Sequence, residues 1–92
     1  MSKDVLAVIG HSVKDYDTWR VGYDAHAPAR AKAGVTKAEV FRDPEDRNKV
    51  TIVLRFRDIA GAKGFFADPG LKEVMQKAGV VSAPAVTLAV AV

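Results

Sequence analysis

The sequence contains no cysteine, which excludes structural disulfides, iron–sulfur ligation and thiol catalysis. No run reaches the ~18 apolar residues of a membrane-spanning helix. The Met1-Ser2-Lys3-Asp4 stretch leads straight into a strand-like segment without the layout of a signal peptide. Charge of one sign is scarce as well: 14 Lys and Arg stand against 11 Asp and Glu, leaving +3. Nucleic-acid binders gather their basic residues on one face, whereas the longest basic cluster here is Arg55-Phe56-Arg57. Metal ligands are equally thin. His11 and His26 have no third ligand and no HxH or HxxxH spacing, so no metal site is expected. Neither nucleic acid nor a membrane is expected as a partner, and a cytoplasmic setting is expected.

What is present is a globular composition. Ninety-two residues, 49% of them apolar, fit one domain spanning 1–92. A chain this short buries a limited core, so pairing with a second copy is a natural source of further burial.

Val5-Leu6-Ala7-Val8-Ile9, ending at Gly10, reads as a strand buried on both faces. Asp15 is a helix N-cap, with Asp17 in the first turn. From Tyr16 to about Ala33 the pattern is helical, with Tyr16, Trp19, Tyr23 and Ala27 on one face. Pro28 removes the bond to the Asp24 carbonyl, predicting a kink, and Gly34 predicts the stop. Val35 to Arg42 and Lys49 to Arg57 read as strands of a hairpin around the Asp43–Asn48 turn. Asp58 caps a second helical stretch bearing Ile59, Ala62 and Phe66 on one face. Asp68-Pro69 restarts it, and Gly79 ends it. Pro84 to Val92 is a final apolar strand.

The fold expected is α+β: a ferredoxin-like β-α-β-β-α-β sandwich with both helical stretches on one face of a four-stranded antiparallel sheet. The first and last strands are apolar at both parities. An exposed apolar sheet face would exceed a tolerable patch, so a sheet-to-sheet homodimer is expected. The RNA-recognition motif shares this element order, but it stacks bases on aromatics of its first and third strands. Those strands here carry no ring before Phe56.

The segments His11-Ser12-Val13-Lys14-Asp15-Tyr16-Asp17-Thr18-Trp19-Arg20 and Asp24-Ala25-His26-Ala27-Pro28-Ala29-Arg30, with Asp68-Pro69-Gly70-Leu71 and Ala78-Gly79-Val80, resemble the dimeric α/β-barrel superfamily. Within it the chain is similar to the small antibiotic-biosynthesis-monooxygenase-like and cyclase-like proteins. The resemblance implies a ligand cavity between helices and sheet and action on a small aromatic or polyketide-type molecule. The alternative is a non-catalytic dimeric module that binds a small ligand or only assembles. The haem-degrading branch would call for an Asn, a Trp and a His around the haem. The one Asn here, Asn48, lies in the hairpin turn, and no cofactor is expected.

Trp19 and Tyr23 are four residues apart on one helix face, with Tyr16 a turn earlier; they either pack the core or line a pocket. Tyr23, His26 and His11 are the candidate proton handlers. The competing readings are a backbone-bonding His26 at the kink and an exposed, silent His11. Phe66 joins Tyr16 and Trp19 as a candidate ligand-binding residue. Arg55, inside an apolar strand, either pairs with Glu39 across the hairpin or binds an anionic substrate group.

Overall fold

The chain begins with an edge-to-centre problem: its first strand must find partners far along the sequence. The computed structural model describes residues 5–92; the Met1–Asp4 lead lies outside the described residues. Strand β1 (Val5–Ser12) is followed by helices α1 (Tyr16–Ala25) and α2 (Ala27–Lys32). Strands β2 (Val35–Arg42) and β3 (Lys49–Phe56) form the hairpin. Helices α3 (Ile59–Ala67) and α4 (Pro69–Lys77) precede β4 (Ala85–Val90). The sheet order is β2-β3-β1-β4, every pairing antiparallel. This is the ferredoxin-like arrangement expected.

Local chemistry sets the element ends. The Asp15 carboxylate accepts from the Thr18 N–H at 3.0 Å, Asp58 from Gly61 at 2.7 Å, and Asp68 from Gly70 at 2.9 Å. Caps of this kind are each worth about 1 kcal/mol. Gly34 and Gly79 hold φ of 94° and 89°, a region that side chains other than glycine rarely enter. The first helical stretch is divided at His26 (φ −87°, ψ 2°), two residues before Pro28. The missing proline N–H is absorbed because the chain starts a new helix there, with Pro28 in its first turn.

Parity in β1 and β3 divides the sheet into two faces. Val5, Ala7, Ile9 and Val13 of the first segment, and Val50, Ile52, Leu54 and Phe56 of β3, are buried beneath the helices with Trp19 and Ala62. The opposite face carries Leu6 and Val8 beside Val53 and Thr51, with Ala89 and Thr87 of β4 across from Leu6 and Val8. Phe41 of β2 stands opposite Thr51 on that face and is 51% exposed. The reading of β1 as buried on both faces is thus corrected: its outward residues are only half-buried in the single chain. The same holds more strongly for β4, every residue of which is exposed.

Two details of the hairpin depart from expectation. Register places Lys37 opposite Arg55 and Glu39 opposite Val53. Glu39 meets Lys37 at 3.8 Å, and the expected Arg55–Glu39 ion pair does not form. Asn48, far from being idle in its turn, accepts the Tyr16 N–H on Oδ1 at 2.9 Å. Its carbonyl accepts the Val13 N–H at 2.8 Å. The hairpin is thereby pinned to the start of α1.

Candidate active site

Helix α1 lays Trp19 and Tyr23 against the sheet one turn apart, with ring centroids separated by 4.9 Å in a stacked arrangement. His11, on the inward face near the end of β1, meets the other side of Trp19 edge-on at 5.6 Å. Beyond Tyr23 the Arg30 guanidinium lies 3.7 Å from the ring centroid. His11, Trp19, Tyr23 and Arg30 make a continuous wall.

This wall bounds a cavity of about 560 Å³, within the size range of small-molecule sites. Its floor is Ile9, Ile52 and Leu54. Phe65 and Phe66 of α3, Leu71, Val74 and Met75 of α4, and Val86 and Leu88 of β4 supply the remaining apolar surface. The exposure of β4 has a local cause here: Val86 and Leu88 face this open volume instead of a packed helix. Polar groups are few, as specificity in an apolar pocket requires.

Two of those groups lack partners. His11 Nδ1 and Tyr23 Oη are buried with no hydrogen-bond partner among the described residues. His11 is only 6% exposed, which corrects the expectation of an exposed imidazole; its even spacing from Ile9 points it inward. Burial holds its pKa below the ordinary value, partly opposed by its own backbone hydrogen bond, because the charged form loses hydration. It is therefore a neutral imidazole near neutral pH, with one nitrogen able to accept a proton. Burial pushes the Tyr23 hydroxyl up, and the nearby Arg30 and Arg20 cations oppose it. Tyr23 thus remains a protonated donor.

His26 also lines the cavity, at the break between α1 and α2, with Phe65 at 6.2 Å between centroids. Its side chain makes no capping hydrogen bond, so the expected imidazole-to-backbone bond at the kink is absent. Phe66 lines the cavity. Tyr16 lies behind the wall: its ring is 5.8 Å from Trp19, its hydroxyl accepts from Arg20 at 3.2 Å, and Arg42 covers its face at 4.4 Å. Arg55 is exposed and shares the outward sheet face of Leu6, so it cannot reach this cavity. Among the described residues no group of three or more His, Cys, Asp or Glu could hold a metal ion. Nor is any helix among them long and apolar enough to cross a membrane.

Arg30 is the residue that sequence reasoning missed. Trp19, Tyr23, His26 and Arg30 follow at i, i+4, i+7 and i+11, the spacing of one helix stripe. The predicted stripe instead continued to Ala27, which is exposed.

No family model matches the sequence, and no curated protein matches it. Solved structures do. A provisionally assigned antibiotic biosynthesis monooxygenase from Bordetella bronchiseptica superposes with a TM-score of 0.80 at 14% identity, covering 95% of each chain. A conserved protein from Methanosarcina mazei Go1 gives 0.76 at 12% identity, covering 96% of this chain and 92% of that one. SnoaB, a cofactor-independent oxygenase from Streptomyces nogalater, gives 0.73 at 16% identity, covering 94% and 92%. The chain has the ferredoxin-like fold of the antibiotic-biosynthesis-monooxygenase-like proteins, as the sequence resemblance implied.

Proposed function

We propose that this protein is a monooxygenase-like or cyclase-like enzyme that binds a small aromatic or polyketide-type molecule in the cavity between helices and sheet. The observation that carries this reading is the pair of unpartnered buried atoms, His11 Nδ1 and Tyr23 Oη, borne by two residues that line an apolar cavity. Each unmet buried group costs roughly 1–3 kcal/mol, a cost that a ligand with complementary oxygen or nitrogen atoms relieves. The Trp19 and Tyr23 rings supply flat surface for an aromatic body. Neutral His11 accepts a proton from an enol or phenol of the ligand, and the Tyr23 hydroxyl donates to the oxygen left negative. His26, at the rim of the helix break, is a second place for that proton. The electron-rich anion so formed is a starting point for either oxygen insertion or ring closure. The likeness in fold to SnoaB, a cofactor-independent oxygenase, agrees with this reading.

The working unit in this proposal is a homodimer paired through the open sheet face. Leu6, Val8, Val53 and Phe41 form an apolar surface there, with Lys37, Glu39 and Arg55 at one end. Native mass spectrometry should show two chains. A monomer at micromolar concentration would remove the dimer from the proposal.

The chain has one tryptophan, so one indole N–H signal in an NMR spectrum reports directly on the cavity wall. Addition of 2-naphthol should shift it saturably, and His11→Asn with Tyr23→Phe should weaken that binding. An unmoved indole signal at millimolar naphthol would sink the aromatic-site reading. A second reading is a binding module without catalysis. It is favoured by the bare His11 Nδ1: among the described residues no carboxylate orients the imidazole as a general base is usually oriented. Ligand recovered chemically unaltered after long incubation in air would select it.

A further inference from the structure

Arg30 is 8% exposed, and its surroundings do not account for its charge. One N–H is used: Nη1 donates to the Tyr23 carbonyl at 2.7 Å. A guanidinium has five donors, and no other hydrogen bond of Arg30 is present among the described residues. None of their carboxylates lies within salt-bridge distance of it. Asp24, the nearest acid along the helix, is committed to Arg20 at 3.0 Å. Asp68, which also borders the cavity, uses Oδ1 to cap α4 at Gly70. The Tyr23 ring covers one face of the guanidinium, a stabilising contact that uses no in-plane donor.

The remaining Arg30 donors, unlike His11 Nδ1 and Tyr23 Oη, are not among the buried unpaired atoms, so they are open to a ligand in the cavity, and a mostly covered cation gains from a counter-ion. The cavity offers a place for the missing charge, since Arg30 belongs to its lining. Burial lowers the Arg30 pKa from its ordinary value, in keeping with a charge that lacks a full partner. Carboxylates match the planar donor fork of arginine bidentately, and a singly charged organic acid suits a cavity whose other walls are largely apolar.

We propose that Arg30 is the anion anchor of this cavity, and that its ligand is an aromatic carboxylic acid bound as the carboxylate. The ring lies along Trp19 and Tyr23, and the carboxylate takes the free donors of Arg30 at the α2 end of the wall. The acid–base pair of His11 and Tyr23 then faces a different part of the same molecule. This inference rests on the reading of the cavity as an aromatic ligand site and adds the charge of what enters it.

Two probes of matched shape separate the claims. Calorimetric titration of the full chain with 2-naphthoate and with 2-naphthylmethanol should show the acid binding roughly tenfold more tightly, the scale of one charge-assisted hydrogen-bonded contact. In Arg30→Gln the ratio of acid to alcohol affinity should fall to about one, whatever happens to both affinities together, and Arg30→Lys should keep part of the ratio. Equal binding of both probes to the unaltered protein, or a preference that survives Arg30→Gln, would overturn the anchor and leave the aromatic site standing. If neither probe binds, the aromatic site fails and the anchor with it. The comparison on the unaltered protein is decisive even if the glutamine variant does not fold.

Discussion

The two ends of the helix-covered sheet face hold two aromatic clusters of opposite character. At the Val5 end, Phe56 is 2% exposed and meets Phe65 at 5.7 Å and Phe66 at 6.0 Å, while those two meet each other edge-on at 5.2 Å. Hydrocarbon rings of this kind close on one another and leave nothing unmet. At the other end of β1, the rings of His11, Trp19 and Tyr23 carry heteroatoms, and two of those atoms are buried without a hydrogen-bond partner on residues that line the cavity. The clusters sit on different elements, the phenylalanines on β3 and α3 and the others on β1 and α1. The phenylalanine end supplies stability, and the histidine–tyrosine end carries unmet polar atoms on residues that line the cavity.

That division can be broken by mutation. Phe56→Ala should cost about 3–5 kcal/mol in urea unfolding, the range for a large core ring. A loss under 1 kcal/mol would show that this end is not the stability centre. An intermediate effect is expected from pH. The folded pKa of His11 lies below its ordinary 6.5, so below that value the unfolded chain binds a proton that the folded chain refuses. Stability should therefore fall as pH drops through 6.5, until the buried imidazole is itself protonated. His11→Asn should flatten that part of the unfolding-midpoint profile; an unchanged profile would mean that His11 does not resist protonation. The smallest effect is expected from Tyr23→Phe, which removes only an orphaned hydroxyl. Its melting temperature should stay near that of the parent, with a stability change within about 1 kcal/mol. A loss as large as that of Phe56→Ala would erase the contrast between the two ends.

The parts of this fold that were legible in the sequence are those decided by neighbours along the chain. Asp15, Asp58 and Asp68 cap helices because a short carboxylate reaches N–H groups two or three residues ahead. Gly34 and Gly79 end helices because the required φ is positive. The stacking of Trp19 on Tyr23 follows from their four-residue spacing. What was not legible depends on distances across the fold. The burial of His11 needs helix α1 to close over β1. The work of Asn48 needs the hairpin turn to arrive beside Tyr16. The loss of the Glu39–Arg55 pair follows from the hairpin register, which sets Lys37 against Arg55 and Glu39 against Val53, and alternation alone does not reveal register. Arg30 escaped notice because its importance lies in a partner it lacks, and sequence patterns record only what is present.

The neighbouring positions of β1 and β4 also bear on the order in which the protein takes shape. Their register joins Val5 to Val90, so this pairing closes a loop over nearly the whole described chain. The β2–β3 hairpin closes only a short turn. Loop-closure entropy grows with length, which favours local pairings early in folding. In refolding, the hairpin can form before the wall given by Val86 and Leu88 is in place. Pulsed hydrogen exchange during refolding should accordingly protect β3 amides before those of β4. Binding capacity would then be the last property the molecule acquires, after most of its architecture is already in place.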